Sequence, residues 1–122
     1  MGQSAEAFLS VYNLDVAFLG VDGVDAVAGC TNYDPAGARV NAMLCHRARK
    51  RVVLADATKI GRITLAQVCP MSDVDVLITD DRAPDPAVEQ IRRQGCRVIC
   101  AKTAGADRST QQSTESMRIV NT

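Results

Sequence analysis

A chain of 122 residues with 47% apolar content fits one soluble domain, and its 14 basic residues balance 14 acidic ones, so no net basic field draws it to nucleic acid. Trp is absent and aromatics make up 3%, too few ring faces for a base-stacking single-strand binder. No apolar run reaches the ~20 residues that span a bilayer, and the N-terminus lacks signal-peptide anatomy. The expectation is a soluble, cytoplasmic protein with no membrane partner.

In chain order, Gln3 to Tyr12 reads as a short helix capped by Ser4, with Ala5, Phe8, Leu9 and Tyr12 at helical spacing. Leu14 to Leu19 is a strand, apolar except for Asp15. Gly20 to Asp34 reads as one long glycine-containing loop. Asp34-Pro35 supplies a cap and a first-turn proline for a helix to about Lys50, whose buried stripe would be Ala36, Val40, Met43, Leu44 and Ala48. The basic run from His46 to Arg51 suits the negative end of that helix better than a phosphate or DNA patch. That placement makes His46, the one histidine, a solvated helix-end residue and not a catalytic one.

Val52–Ala55 is a second strand and Val74–Thr79 a third, closed by Asp80-Asp81. The segment Ile63–Cys69 mixes helical and extended signals before Pro70. Asp85-Pro86 starts a helix with Val88 and Ile91 inward and Gly95 at its end, and Arg97–Cys100 is a fourth strand. From Lys102 on, Thr, Ser, Gln and Gly dominate without periodicity, which predicts a domain over 1–101 and a disordered tail over 102–122. The five cysteines are odd in number and form no C-x-x-C, so they read as small buried hydrophobes and not as zinc ligands or disulfides.

Strands alternating with helices predict an α/β fold: a partial Rossmann-like parallel sheet of about four strands with flanking helices. In such sheets ligands bind at the carboxyl ends of the strands. That edge would gather Asp22 and Asp25 after the first strand, Asp56 and Lys59 after the second, and Asp80 and Asp81 after the third. Carboxylates accept from sugar hydroxyls, Lys59 can meet a phosphate, and Thr31 and Thr58 add hydroxyls. The set suits a small phosphorylated polyol; the competing reading is a row of capping residues in solvated turns, and spacing alone leaves the two even. A Mg²⁺ site of Asp56, Asp80 and Asp81 is disfavoured, because the acids come in the wrong chain order for a receiver domain and no Asp-x-Asp follows the first strand.

Four stretches carry a resemblance: Asp15–Asp25, Gly29-Cys30-Thr31, Val53–Arg62 and Asp73–Asp81. In this order and spacing they resemble the later part of the C-terminal sugar-phosphate-sensing domain of DeoR-type transcriptional regulators. The resemblance implies the fold shared by glucosamine-phosphate deaminase, ribose-5-phosphate isomerase and CoA transferases. It also implies a sugar phosphate or phosphorylated polyol as partner and a role as the inducer-sensing half of a repressor; no cofactor and no metal are expected. Carried over residue by residue, Asp22 and the Gly23 turn would face the sugar hydroxyls, Thr31 would lie beside them and Lys59 would approach the ligand's oxygens. The ligand-binding set is then Asp22, Gly23, Asp25, Thr31, Asp56 and Lys59.

Two departures accompany it. The winged helix-turn-helix and the first half-domain with its phosphate loop, usual in the family, are absent from this chain, which implies no operator binding by this chain itself. Where the family commonly has Glu near the start of the helix, this chain has Gly37, which cannot transfer a proton. The leading reading is therefore a non-enzymatic, truncated sensing module that self-associates as a homo-oligomer through an exposed sheet edge. Its rivals are an isomerase-like enzyme using Asp22, Asp25 and Lys59, and a fragment with no autonomous role.

Overall fold

A computed structural model describes residues 2–103, with side chains from residue 6 onward. Its centre is a four-stranded, wholly parallel sheet in the order β1 (Leu14–Gly20), β4 (Ala48–Leu54), β6 (Val76–Asp80), β7 (Arg97–Ala101). The fold is α/β and Rossmann-like, as the alternation of elements predicts. Three helices accompany the sheet: α1 (Gly2–Leu9), α2 (Pro35–Arg47) and α3 (Asp85–Arg92). Ser4 lies inside α1 and does not precede it.

The expected long loop between Gly20 and Asp34 is instead two strands, β2 (Gly23–Asp25) and β3 (Gly29–Asn32). With β5 (Ala66–Cys69) they form a second, antiparallel sheet in the order β2-β3-β5. Strands of three and four residues are too short to show a period of two, so their pairing is invisible until the partner strand is in place.

At α2 the expected start holds: Asp34 accepts from the N–H groups of Ala36 and Gly37, each at 3.2 Å, and Pro35 occupies the first turn. Its end does not. The helix stops at Arg47 and β4 begins at once with Ala48, so the basic run is divided between helix and strand. The reason is tertiary: β4 pairs with β1 from Leu14↔Ala48 to Gly20↔Leu54, and this ladder overrides the helix propensity of Ala-Arg-Lys. Arg51 then caps the helix from the strand, donating to the carbonyls of Cys45 at 3.3 Å and Ala48 at 2.8 Å. Of the expected stripe, Val40 and Ala48 are buried, joined by Ala38 and Cys45, while Ala36, Met43 and Leu44 are half-buried. In α3, Val88 and Ile91 are buried and Gly95 takes a positive φ of 92°, but the helix is capped at Pro84 with no side-chain bond, and Asp85 is its first residue. Of the segment expected to be a disordered tail, only Lys102 and Thr103 are described; 104–122 lie outside the described residues.

One core cluster joins Ala17, Leu19, Val53, Leu77 and Val98 of the parallel sheet to Ala38 and Cys45 of α2, Val88 and Ile91 of α3, and Val24, Cys30, Val68 and Cys69 of the small sheet. The helices therefore cover one face. The opposite face holds a separate cluster of Val52, Val76 and Ile78 with Ile99 beside it.

Four of the five cysteines are buried and Cys100 is exposed. Cys30 donates to the sulfur of Met71 at 3.9 Å, and Cys69 lies beside Cys30 and Cys45 in the same core cluster. The neighbouring Cys30 thiol and burial push the Cys69 thiol up to about 12, the neighbouring Cys69 thiol and burial push Cys45 up as well, and burial takes Cys96 to about 11. Thiols held protonated and out of solvent do not react as nucleophiles. A thiol-alkylating reagent at neutral pH is expected to modify Cys100 alone in the folded chain and the remaining cysteines only after denaturation. Mass spectrometry showing Cys45 or Cys69 modified at the rate of Cys100 would contradict this burial.

Candidate functional site

Of the ligand-facing residues expected from the sequence, Asp22, Asp56 and Lys59 lie in turns that follow β1 and β4, whereas Gly23 and Asp25 lie in β2 and Thr31 in β3. At the carboxyl end of β1 the chain leaves Gly20, and a polar relay holds it there. The amide of Asn41, on α2, donates to the Gly20 carbonyl and to Asn32 Oδ1, both at 3.1 Å. Asn32 in turn donates to Asp22 Oδ2 at 3.2 Å, and the Tyr33 N–H donates to the same oxygen at 2.8 Å. The Tyr33 bond first, the Asn32 bond next, and the positive charges of Lys59 and Arg62 hold the Asp22 carboxyl below the usual carboxylate range. Asp22 is a carboxylate at any physiological pH, with Oδ2 engaged and Oδ1 free of side-chain and backbone donors among the described residues.

The loop after β4 brings the cations to it. Asp56 accepts from the N–H of Thr58 at 2.9 Å and from the Thr58 hydroxyl, which winds Ala57–Lys59 into a 3₁₀ turn. Asp80, at the end of β6, accepts from the Ala57 N–H at 2.9 Å and so ties two strand ends together. Beyond the turn, the Gly61 N–H donates to the Val24 carbonyl at 2.7 Å and the Thr64 N–H to Thr31 Oγ1 at 2.9 Å. These bonds lay the loop along the β2-β3 hairpin. Gly23 makes the approach possible: a Cβ there would stand 2.7 Å from Thr31 Oγ1 and closer still to the Arg62 carbonyl. Lys59 Nζ is 3.6 Å from Asp56 Oδ2 and 3.4 Å from Thr58 Oγ1, and its side chain is partly buried.

The structure thus brings Asp22, Gly23, Asp56 and Lys59 together at one edge. Asp25 and Thr31 are placed differently. Asp25 Oδ2 accepts from the N–H groups of Val27 at 3.0 Å and Ala28 at 2.8 Å, which closes its own turn. The Thr31 side chain is buried, and its oxygen holds the Thr64 backbone. Three contributors were not singled out from the sequence. Arg62 was legible only as the last residue of the Val53–Arg62 stretch; Asn32 and Asn41 carried no local signal, because their partners come from three different elements.

No group of three or more His, Cys, Asp or Glu side chains among the described residues is arranged to hold a metal ion. The three carboxylates of the disfavoured Mg²⁺ reading are occupied separately: Asp56 by Thr58, Asp80 by Ala57 and Arg82, Asp81 by Thr103. No helix among the described residues is long and apolar enough to cross a membrane.

Residues 1–81, which include the whole of this edge, match the family model described as the DeoR C terminal sensor domain. The chain belongs to the DeoR sensor-domain family. Related proteins agree. An Escherichia coli O157:H7 protein named for transcriptional repression of the aga operon is 33% identical over 98 residues, 80% of this chain and 36% of its own. The HTH-type transcriptional regulator GlpR of Haloferax volcanii is 31% identical, covering 81% of this chain and 39% of its own. The glycerol-3-phosphate regulon repressor of Haemophilus influenzae is 26% identical, covering 81% and 38%. This DeoR sensor domain therefore spans less than half the length of the regulators it matches.

Proposed function

We propose that the domain senses a small sugar phosphate or phosphorylated polyol at the carboxyl-end edge of β1, as the effector-sensing module of a DeoR-type repressor. The observation that carries this reading is a carboxylate, Asp22, held at the end of β1 by the Tyr33 N–H and Asn32, on the edge to which the Ala57–Lys59 turn brings Lys59 beside Asp56. Asp22 Oδ1 accepts from a hydroxyl of the ligand, and Lys59 and Arg62 bind its phosphate. The name of the Haemophilus influenzae relative, a glycerol-3-phosphate regulon repressor, supports the same ligand class. Asp56 orients Lys59, Gly23 lets the cationic loop close on the hairpin, and Asp25 and Thr31 shape the site through the backbone bonds described above.

The domain works without turnover. At the position where an acid would transfer a proton stands Gly37, whose N–H is bound by Asp34. Operator recognition belongs to parts of the longer regulators outside the matched region, and a regulator of this kind acts in the cytoplasm.

Calorimetric titration with glycerol 3-phosphate and a panel of hexose and pentose phosphates, with inorganic phosphate and glycerol as controls, tests this. Binding is expected for at least one phosphorylated polyol. Lys59→Ala and Asp22→Asn should each weaken it roughly 10- to 100-fold, the effect of losing a hydrogen bond to a charged group worth about 1.5–3 kcal/mol. Saturable binding that survives both substitutions unchanged would remove the site, and isomerisation of the bound sugar that stops in Lys59→Ala would replace sensing with catalysis.

A further inference from the structure

We infer that Asn41, on α2, is a positioning residue of the proposed site: it fixes which way round the Asn32 amide sits, and so keeps an N–H rather than an oxygen against the Asp22 carboxylate. The assignment rests on the sensing role proposed for Asp22. One group in this chain of bonds has no choice. The Gly20 carbonyl can only accept, and Asn41 Nδ2 stands 3.1 Å from it. The Asn41 amide must therefore turn its NH₂ inward, and the same nitrogen reaches Asn32 Oδ1, also at 3.1 Å. That occupies the Asn32 oxygen and leaves its Nδ2 facing Asp22 Oδ2 at 3.2 Å. With Asn32 reversed, NH₂ would meet NH₂ at one end and an oxygen would meet the carboxylate at the other.

Asn is a poor helix former, and its side chain commonly competes with the helix for backbone partners. At position 41 it bonds outside α2 altogether. Gly20 closes β1, Asn32 closes β3 and Asp22 lies between β1 and β2, so the relay locks three elements to the helix. Both asparagines are half-buried, where an amide left facing the wrong way loses its bond without full compensation from water. Asp22 Oδ2 takes a second bond from the Tyr33 N–H, which is backbone and independent of residue 41. Lys59 and Arg62, on the loop after β4, are the charges that act on the same carboxylate. With both protein donors on Oδ2, Oδ1 is the oxygen presented to a ligand hydroxyl. Asn41 touches no ligand; it acts through Asn32. Asn41→Asp keeps the shape of the side chain but offers only acceptors. Asn32 would then turn its NH₂ toward α2 and its oxygen toward Asp22, reversing the relay.

The test follows the Asp22 carboxyl carbon and the Asn32 side-chain amide by NMR through a pH titration of the ligand-free 122-residue chain. In the unaltered chain the Asn32 amide signal should move as Asp22 titrates. Asn41→Asp is expected to raise the Asp22 midpoint and to uncouple the Asn32 amide from it. The added charge raises the midpoint too, so the substitution is repeated in Asn32→Ala, where no amide remains to turn and the shift should be clearly smaller. Asn41→Ala adds no charge and serves if Asn41→Asp does not fold. It should raise the midpoint with Asn32 present and leave it unmoved in Asn32→Ala. Affinity for glycerol 3-phosphate should fall at least roughly tenfold in Asn41→Asp. Equal shifts with and without Asn32 overturn the inference, as does an Asn32 amide that still tracks Asp22 in Asn41→Asp. A chain that binds no phosphorylated polyol removes the sensing reading instead, and the ligand-free titration still decides the relay.

Discussion

Gly29→Ala is expected to destabilise the domain by about 2–5 kcal/mol, while Gly61→Ala, at a nearly identical backbone angle, should cost only about 1–2 kcal/mol. Gly29 has φ of 81° and Gly61 of 85°, a region in which a Cβ crowds its own chain. The conformational part is thus common to both. What differs is the surrounding space. A Cβ on Gly29 would stand 2.9 Å from the Cα of Pro70 and nearer still to the Cys69 carbonyl, whereas nothing lies within 4 Å of one on Gly61. Those atoms are backbone, so relief would require β3 and β5 to separate, and with them the hairpin that carries Asp22. Denaturant midpoints measured at a common slope give the difference directly. Equal losses for the two variants would mean that β3 and β5 do not pack as closely as described.

Leu77→Ala carries the second large effect. Leu77 is fully buried on β6, flanked in register by Val53 and Val98, and belongs to the cluster shared by α2, α3 and the small sheet. Removing its side chain leaves a cavity in that shared core, for an expected loss of about 2–5 kcal/mol. Against the 5–15 kcal/mol that hold a domain folded, this brings the chain close to its unfolding threshold at ambient temperature. Leu54→Ala, one strand over on the opposite face, is the comparison. Leu54 is already 41% exposed, so the same truncation should cost less than about 1 kcal/mol. Thermal unfolding of both variants tests the pair. Similar losses would show that Leu54 is as closely packed as Leu77.

Much of this architecture was legible before any coordinate. Val52–Leu54 and Val76–Thr79 are apolar on both faces, which marks buried parallel strands, and Asp34-Pro35 and Gly95 punctuate the helices where local chemistry demands it. The acids and the lysine at the strand ends followed from those strands, because a parallel sheet sends all its carboxyl ends to one edge. Less was legible where a residue's partner is distant in sequence. The Gly20–Asp34 stretch looked like loop because β2 and β3 are stabilised by each other and by β5, about 37 residues beyond β3.

The same distinction holds at the level of single side chains. Local sequence determined which residues bear charge at the carboxyl-end edge of the parallel sheet: Asp22, Asp56 and Lys59 are there because β1 and β4 stop there. Only the tertiary structure decided how each is used. Asp25 is spent on the turn that follows it, Thr31 is drawn inside by Thr64, and the Arg62 backbone is laid against Gly23 by a loop pinned to Val24. A hydrogen bond is decided by where its partner lies, and that position is set by the packing of the whole sheet.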